Sequence, residues 1–362
     1  MKRVRVSELI PGMITAEDVY NYNGQLILPC GLTLTDKAIT RLEFYSILSV
    51  KIEEETAEPE LPEVTEEIDD TLTLSEKIQS SPEYQEFKQD YNEGVNILKD
   101  NINRIVTDNE PVHFTSLLDN TLRILALSSS KYNALDMLHN MRQYDDMTFA
   151  HSLNVALICN VFAKWLKWSE EDQRTLTLCG LLHDIGKVRI PDSIIKKPDK
   201  LTDEEYKIVK THTIEGYNIL KDKDLDPHIA NSALMHHEKC DATGYPLRVP
   251  GNKIDRFAKA VAIVDVYDAM TSARIYRGPL CPFKVIEIFE NEGLQKYEAE
   301  YILVFLENIV NTYLHNRVRL TNGMVGTVIF SNKEQLSRPI VKCGDTVINL
   351  AEEKDLRIDV LL

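Results

Sequence analysis

Five of the nine histidines in this 362-residue chain form an ordered set: His151, His183, His212, His236 and His237. Asp184 directly follows one of them, and Asp265 lies further along. Imidazoles mixed with carboxylates suit divalent transition metals, whereas carboxylates alone would suit magnesium or calcium. His183 and Asp184 close an apolar run, Leu178 to Leu182, just ahead of Gly186. Neighbouring residues on a helix point about 100° apart, so both can reach a metal lodged between helices. His236 and His237 read as the same device on a second helix. Asp265 and Asp268, three apart, share one helical face beside Val261 to Val264. Seven ligands exceed the four or so that one zinc needs. They fit a pair of metals with Asp184 as the bridge. Two metals about 3.5 to 4 Å apart lower the pKa of a shared water and clamp the attacking and leaving oxygens of a phosphoryl group. The expected chemistry is phosphoester hydrolysis. His113, His139, His228 and His315 stand alone and read as structural or exposed.

The elements that must position these residues have a helical period from about Ser81 to His315. Ser81-Pro82 starts a helix, with Pro at a tolerated first position. Asp119 to Leu127 and Ala134 to Met141 continue the pattern. Met147 to Leu166 reads as a long amphipathic helix turning Leu153, Ala156, Leu157 and Val161 to a core. Ser169 with Asp172 caps a helix that runs to His183. Further helices are expected over Leu225 to His237, Phe257 to Thr271, Pro282 to Phe289 and Glu298 to Leu314.

The flanks differ. Residues 1–52 carry turn signals at Pro11-Gly12, Asn23-Gly24 and Pro29 to Gly31, and read as a small β-rich module. Within it Thr35 caps a short helix bearing Ala38, Ile39, Leu42 and Tyr45. Residues 53–80 read as an acidic linker: ten acidic residues and no Lys or Arg fall between Glu53 and Asp70. Like charges extend such a segment, which is either solvated or a docking tract for a partner. From residue 316 to 362 the period becomes two, as in Val325, Thr327 and Ile329, with Gly323, Gly326 and Gly344 at expected turns. That stretch reads as a small sheet or barrel.

Composition excludes several functions. A net charge of −16 argues against a general binder of nucleic-acid polymers, which needs a basic face. No stretch approaches the roughly 18 apolar residues that span a bilayer, and no apolar run follows Met1 to Ile10 to make a secretory signal. The six cysteines lie far apart without a CxxC pair, and read as reduced thiols of a cytoplasmic protein.

The run His183-Asp184-Ile185-Gly186-Lys187 and the run His236-His237-Glu238 with Asp241 and Gly244-Tyr245-Pro246 resemble the HD-GYP family of the HD phosphohydrolase superfamily. The match continues through His151-Ser152, through His212 with Gly216, and through Asp265 to Arg277, covering roughly residues 130–310. The resemblance implies a mainly α fold, an HD-type helical bundle carrying the two small β modules, and hydrolysis of cyclic di-GMP by a metal-bound hydroxide to linear pGpG, with onward hydrolysis to GMP left open. It implies that His151, His183, Asp184 and Asp265 hold one metal and His212, His236 and His237 the other, with Asp184 shared. Iron or manganese is favoured, with zinc and cobalt compatible. Asp184 and Lys187 are then catalytic, and Lys187, Tyr245, Asp268, Arg274 and Arg277 contact substrate. Some members carry a Glu four residues before the first His that recruits a third metal; here that residue is Met147, so two metals are expected. Ala242 and Ala273 replace a glycine and an aspartate common in the family, which bears on loop shape and substrate preference. The N-terminal module is similar to small regulatory domains found ahead of such units. Two other readings stay open: the same site acting on another nucleotide, or a sensor that binds the dinucleotide uncleaved. The full ligand set argues against the sensor. A two-fold dimer is expected on base rates.

Overall fold

The computed structural model describes residues 2–6, 9–10, 12–20, 26–35, 38–39, 42, 47, 49–52, 74–107, 114–126, 134–141, 147–197, 199–272 and 280–362. The chain divides into two compact units, residues 1–68 and 69–362.

In the first unit, β1 (Lys2–Arg5) pairs antiparallel with β4 (Ser49–Ile52), and β2 (Val19–Tyr20) with β3 (Leu26–Leu28). Alternation along β1 and β4 turns Val4, Val50 and Ile52 inward onto Leu28, Leu34 and Leu42. Thr15 is buried at their centre and stays satisfied, donating to Pro29 O at 2.7 Å and accepting from Leu32 N–H at 2.9 Å. Thr35 Oγ1 accepts from Ala38 N–H at 3.3 Å, as a capping residue should. The acidic run 53–70 lies outside the described residues.

The second unit opens with α1 (Leu74–Gln79), inside the stretch expected to be linker. Tertiary packing makes this turn: Ile78 is buried and Ser75 Oγ donates to Asn140 Oδ1. Next come α2 (Pro82–Thr107), α3 (Phe114–Ala126), α4 (Ala134–Asn140), α5 (Met147–Trp165) and α6 (Glu170–Leu182). A short 3₁₀ turn (Ile185–Arg189) leads to α7 (Asp192–Ile195), α8 (Asp203–Lys210), α9 (His212–Leu220) and α10 (Pro227–Met235). The last helices are α11 (Arg256–Thr271), α12 (Pro282–Ile288), α13 (Leu294–Lys296) and α14 (Ala299–Thr312). No helix among the described residues is long and apolar enough to cross a membrane.

Three helices form the centre. Ser169 accepts from Asp172 N–H at 3.1 Å to start α6, and Asp255 accepts from Phe257 N–H at 2.9 Å to start α11. Both are then buried on almost every side, Leu176 to Leu182 in α6 and Ala260 to Asp265 in α11. The expected amphipathic stripe on α5 is corrected in the same way. Residues 152–160 are all buried, because α2, α6, α11 and α14 pack around that helix. Helices α5 and α6 cross closely at Gly180, where a Cβ would lie 2.9 Å from Ala156 Cα.

The C-terminal stretch is one antiparallel sheet, β5 (Arg317–Leu320), β6 (Val325–Phe330), β7 (Ile340–Cys343), β8 (Thr346–Asn349) and β9 (Ile358–Leu361), in the order β8-β7-β6-β5-β9. Its inward residues Val318, Leu320, Val328 and Val341 join the helical core. Gly323 and Gly344 have the positive φ of turn residues. Gly326 does not mark a turn. It pairs with Val318 inside β6, where a Cβ would crowd Lys342 O at 2.6 Å.

Candidate metal centre

The seven candidate ligands come from five chain segments. His151 sits in the second turn of α5, one turn in from Met147. His183 ends α6, and Asp184 follows at the start of the 3₁₀ turn. A Cβ on Gly186 would stand 1.9 Å from His212 O and 2.5 Å from Gly216 N. Only a bare Cα therefore lets this turn abut α9, whose first residue is His212. The expectation that one helix carries both His236 and His237 is corrected: α10 stops at Met235, His236 caps it, and His237 lies beyond in a turn. That turn is held by the loop folding back on it, since a Cβ on Gly244 would lie 2.5 Å from both His237 O and Glu238 Cα. Asp265 and Asp268 project from buried α11.

Packing brings the ligand atoms into two groups, Asp184 with His212, His236 and His237, and His151 with His183 and Asp265, each within 4.8 Å. Asp184 faces both. Its Oδ1 is 3.3 Å from His212 Nε2 and 3.8 Å from His236 Nε2, while Oδ2 is 3.3 Å from His183 Nε2 and 3.9 Å from His151 Nε2. His237 Nδ1 approaches Asp265 Oδ2 at 3.8 Å.

Backbone carbonyls decide which imidazole nitrogen is the ligand. His183 Nδ1 donates to Gly180 O and His212 Nδ1 to Val209 O, both at 2.7 Å, and His236 Nδ1 donates to Ser232 O at 3.0 Å. A carbonyl only accepts, so Nδ1 holds the proton and each Nε2 turns a lone pair inward. His212 Nε2 and His236 Nε2 stand 3.3 Å apart. His183 Nε2 and Asp184 Oδ1 are buried without a hydrogen-bond partner. Orphaned buried acceptors are costly, and these converge on one space, as metal ligands do. The residues fit divalent metals.

The electrostatics agree. Burial keeps His212 and His236 below the ordinary histidine range and His237 down at about 3, so all three are neutral donors of lone pairs. Burial alone would raise the carboxyls of Asp184 and Asp265. The Lys187 ammonium for Asp184, and the hydrogen bond from His151 for Asp265, overcome it and hold both well below the carboxylate range. His151 differs: burial lowers it, but Asp265 and Asp268 on its two nitrogens raise it to about 10.

Other expected site residues take varied places. Lys187 Nζ donates to Asp184 Oδ2. The Tyr245 ring stacks on His237, centroids 4.7 Å apart. Asp268, expected as a substrate contact, is buried and accepts from His151 Nδ1 at 2.7 Å and Asn154 Nδ2 at 3.1 Å. Arg274 and Arg277 lie outside the described residues. Among the lone histidines, His139 lies within hydrogen-bonding distance of Tyr267 and Tyr313, and His228 binds Asp255. His113 lies outside the described residues.

Two residues had no role in the sequence reading. Buried Glu238 accepts the N–H groups of Leu247, Arg248 and Val249 at 2.5, 2.9 and 3.3 Å, and so shapes the loop carrying Tyr245. Asn154, one turn after His151, joins Asp268 to the Tyr91 hydroxyl. Neither partnership leaves a mark in local spacing, since Tyr91 lies 63 residues from Asn154.

A family model described as an HD domain matches residues 123–301. The chain is 34% identical over 58% of its length to a cyclic di-GMP phosphodiesterase of Pseudomonas aeruginosa, covering 51% of that protein. It is 39% identical over 40% of its length to 3'3'-cGAMP-specific phosphodiesterase 1 of Vibrio cholerae, covering 34% of it. A cyclic di-GMP phosphodiesterase of Thermotoga maritima is 34% identical, with 49% of each chain covered. The chain thus spans about half or less of the length of these relatives.

Proposed function

We propose that the chain, which matches an HD-domain model over residues 123–301 and resembles the HD-GYP family, is a metal-dependent phosphodiesterase that opens cyclic di-GMP to linear pGpG, with GMP as the alternative end product. The observation that carries this reading is the division of Asp184, one carboxylate oxygen toward His212 and His236, the other toward His183 and His151. A bridging carboxylate between two ligand groups is what a pair of metals needs. His151, His183 and Asp265 would complete one site, and His212, His236 and His237 the other. Bound there, two divalent metals, iron or manganese by preference, would supply an acidified water and charge neutralisation at the phosphoryl oxygens.

The chain's own residues do the rest. Asp268 orients His151 through Nδ1, and the carbonyls of Gly180, Val209 and Ser232 orient three more imidazoles. Lys187, partly exposed and reaching Asp184, places a cation where a substrate phosphate would arrive. Tyr245 walls the His237 side. Arg274 and Arg277, on the segment after α11, would add planar donors suited to phosphate or guanine. The six free cysteines fit work in a reducing cytoplasm.

Purified chain loaded with manganese or iron should convert cyclic di-GMP to pGpG, followed by chromatography. The Vibrio relative named for 3'3'-cGAMP makes that dinucleotide the second substrate to test. Failure to cleave either, with metal bound, overturns the proposal.

A further inference from the structure

Beside the metal centre lies an exposed helix whose side chains have no part in ligation. Helix α8 buries none of its residues, yet its start is fixed by a reciprocal cap: Thr202 Oγ1 accepts from Glu205 N–H at 3.2 Å, and Glu205 accepts from Thr202 N–H at 2.7 Å. Lys197 Nζ also donates to Glu205, at 2.7 Å. This short helix is therefore a firm platform. On it Tyr206 is 49% exposed. Lys210 Nζ lies 5.0 Å from the centroid of that ring and 5.7 Å from the centroid of Tyr245. Among the described residues no carboxylate is within ion-pairing distance of Lys210, and two aromatic rings flank its ammonium. Tyr245 in turn stacks on His237 and lies edge-on to His212, centroids 6.5 Å apart. Tyr206, Lys210, Tyr245 and His237 thus form a continuous series from solvent to the candidate ligands.

We propose that Tyr206 and Lys210 form an outer subsite that holds the part of a cyclic dinucleotide not being cleaved; this rests on the phosphodiesterase reading above. Such a substrate has two phosphodiesters and two bases. With one diester at the candidate ligands, the other diester and a base must extend outward. The Lys210 ammonium, which no carboxylate among the described residues pairs, meets the second diester as a charge-assisted donor. An exposed aromatic face accepts a stacked base of any sequence. Both groups are positioning residues for binding, since neither reaches the ligands. If Lys210 served only to complement the dipole at the end of α8, substrate affinity would not depend on it.

The test uses full-length, manganese-loaded Tyr206→Ala, Lys210→Ala and Lys210→Arg, with fold followed by circular dichroism and metal by elemental analysis. Two substrates are compared, cyclic di-GMP and bis(p-nitrophenyl) phosphate, a diester with no second phosphate and no base. Each alanine variant should raise KM for cyclic di-GMP about tenfold, the effect of losing one charged hydrogen bond or one stacked base. Its kcat, and its hydrolysis of the small diester, should stay within about twofold, and Lys210→Arg should recover most of the loss. Unchanged KM in both alanine variants, or equal losses on the two substrates, overturns the subsite while leaving the phosphodiesterase reading intact. A wild-type protein that cleaves the small diester but no cyclic dinucleotide overturns the reading itself, and the subsite with it.

Discussion

Asp268 accepts a hydrogen bond from His151 Nδ1 at 2.7 Å, which leaves Nε2 of the same ring pointing at Asp265 and Asp184. The carboxylate expected to contact substrate is thus placed to orient a candidate ligand. Asp268→Asn keeps the size of the side chain but weakens that grip. It should lower metal affinity about 10- to 100-fold, the usual cost of losing such a partner. Competition with a graded chelator measures it, and unchanged affinity would show that His151 needs no orienting carboxylate.

Asp184→Ala removes the carboxylate whose two oxygens divide between the ligand groups, and no core packing goes with it. Hydrolysis should fall to background with helical content preserved. Lys187, which now donates to Asp184, should tolerate the change because it is partly exposed. Near wild-type turnover by a folded variant would remove this site from the mechanism.

Gly186→Ala should be among the most damaging single-methyl changes in the chain. The new Cβ would face backbone, His212 O at 1.9 Å, and backbone there cannot rotate away. The expected destabilisation is about 3 kcal/mol, read from denaturant melts, together with reduced metal occupancy because α9 carries His212. A normal melt with full occupancy would contradict the tight contact between the 3₁₀ turn and α9.

Glu238→Gln should act on the loop carrying Tyr245 and spare metal binding. An amide offers one acceptor oxygen where three N–H groups now converge. Hydrogen bonds to a charged acceptor are worth about 1.5–3 kcal/mol, so the loop should loosen and KM should rise about tenfold. Metal analysis of the same preparation provides the control, and a large loss of metal would make Glu238 a support of His237 instead.

Two metals, not three, should bind per chain, since Met147 offers no carboxylate one turn before His151. Bound metal should also stabilise the fold, by about 2.7 kcal/mol at a hundred times the dissociation constant. A chelator should therefore lower Tm reversibly. A reproducible third equivalent in elemental analysis would refute the count.

The residue types of the site were legible without a structure, because imidazoles and carboxylates at those spacings have few other uses. So were the helices around them and the sheet at the end, since period and caps are local: Ser169 and Asp172 sit three residues apart and meet in the first turn of α6. What local sequence could not carry was anything decided by approach between distant segments. The grouping of His151 with Asp265 spans 114 residues, and which oxygen of Asp184 serves which group depends on how α5, α6, α9 and α10 pack. The same holds for Gly186 and Gly326, whose lack of a side chain answers crowding by a strand or helix remote in sequence rather than a turn of their own. Asp268 shows the limit most clearly. Its spacing from Asp265 places both on one face of α11, but only the position of α5 against that face makes one carboxylate a candidate ligand and the other its support.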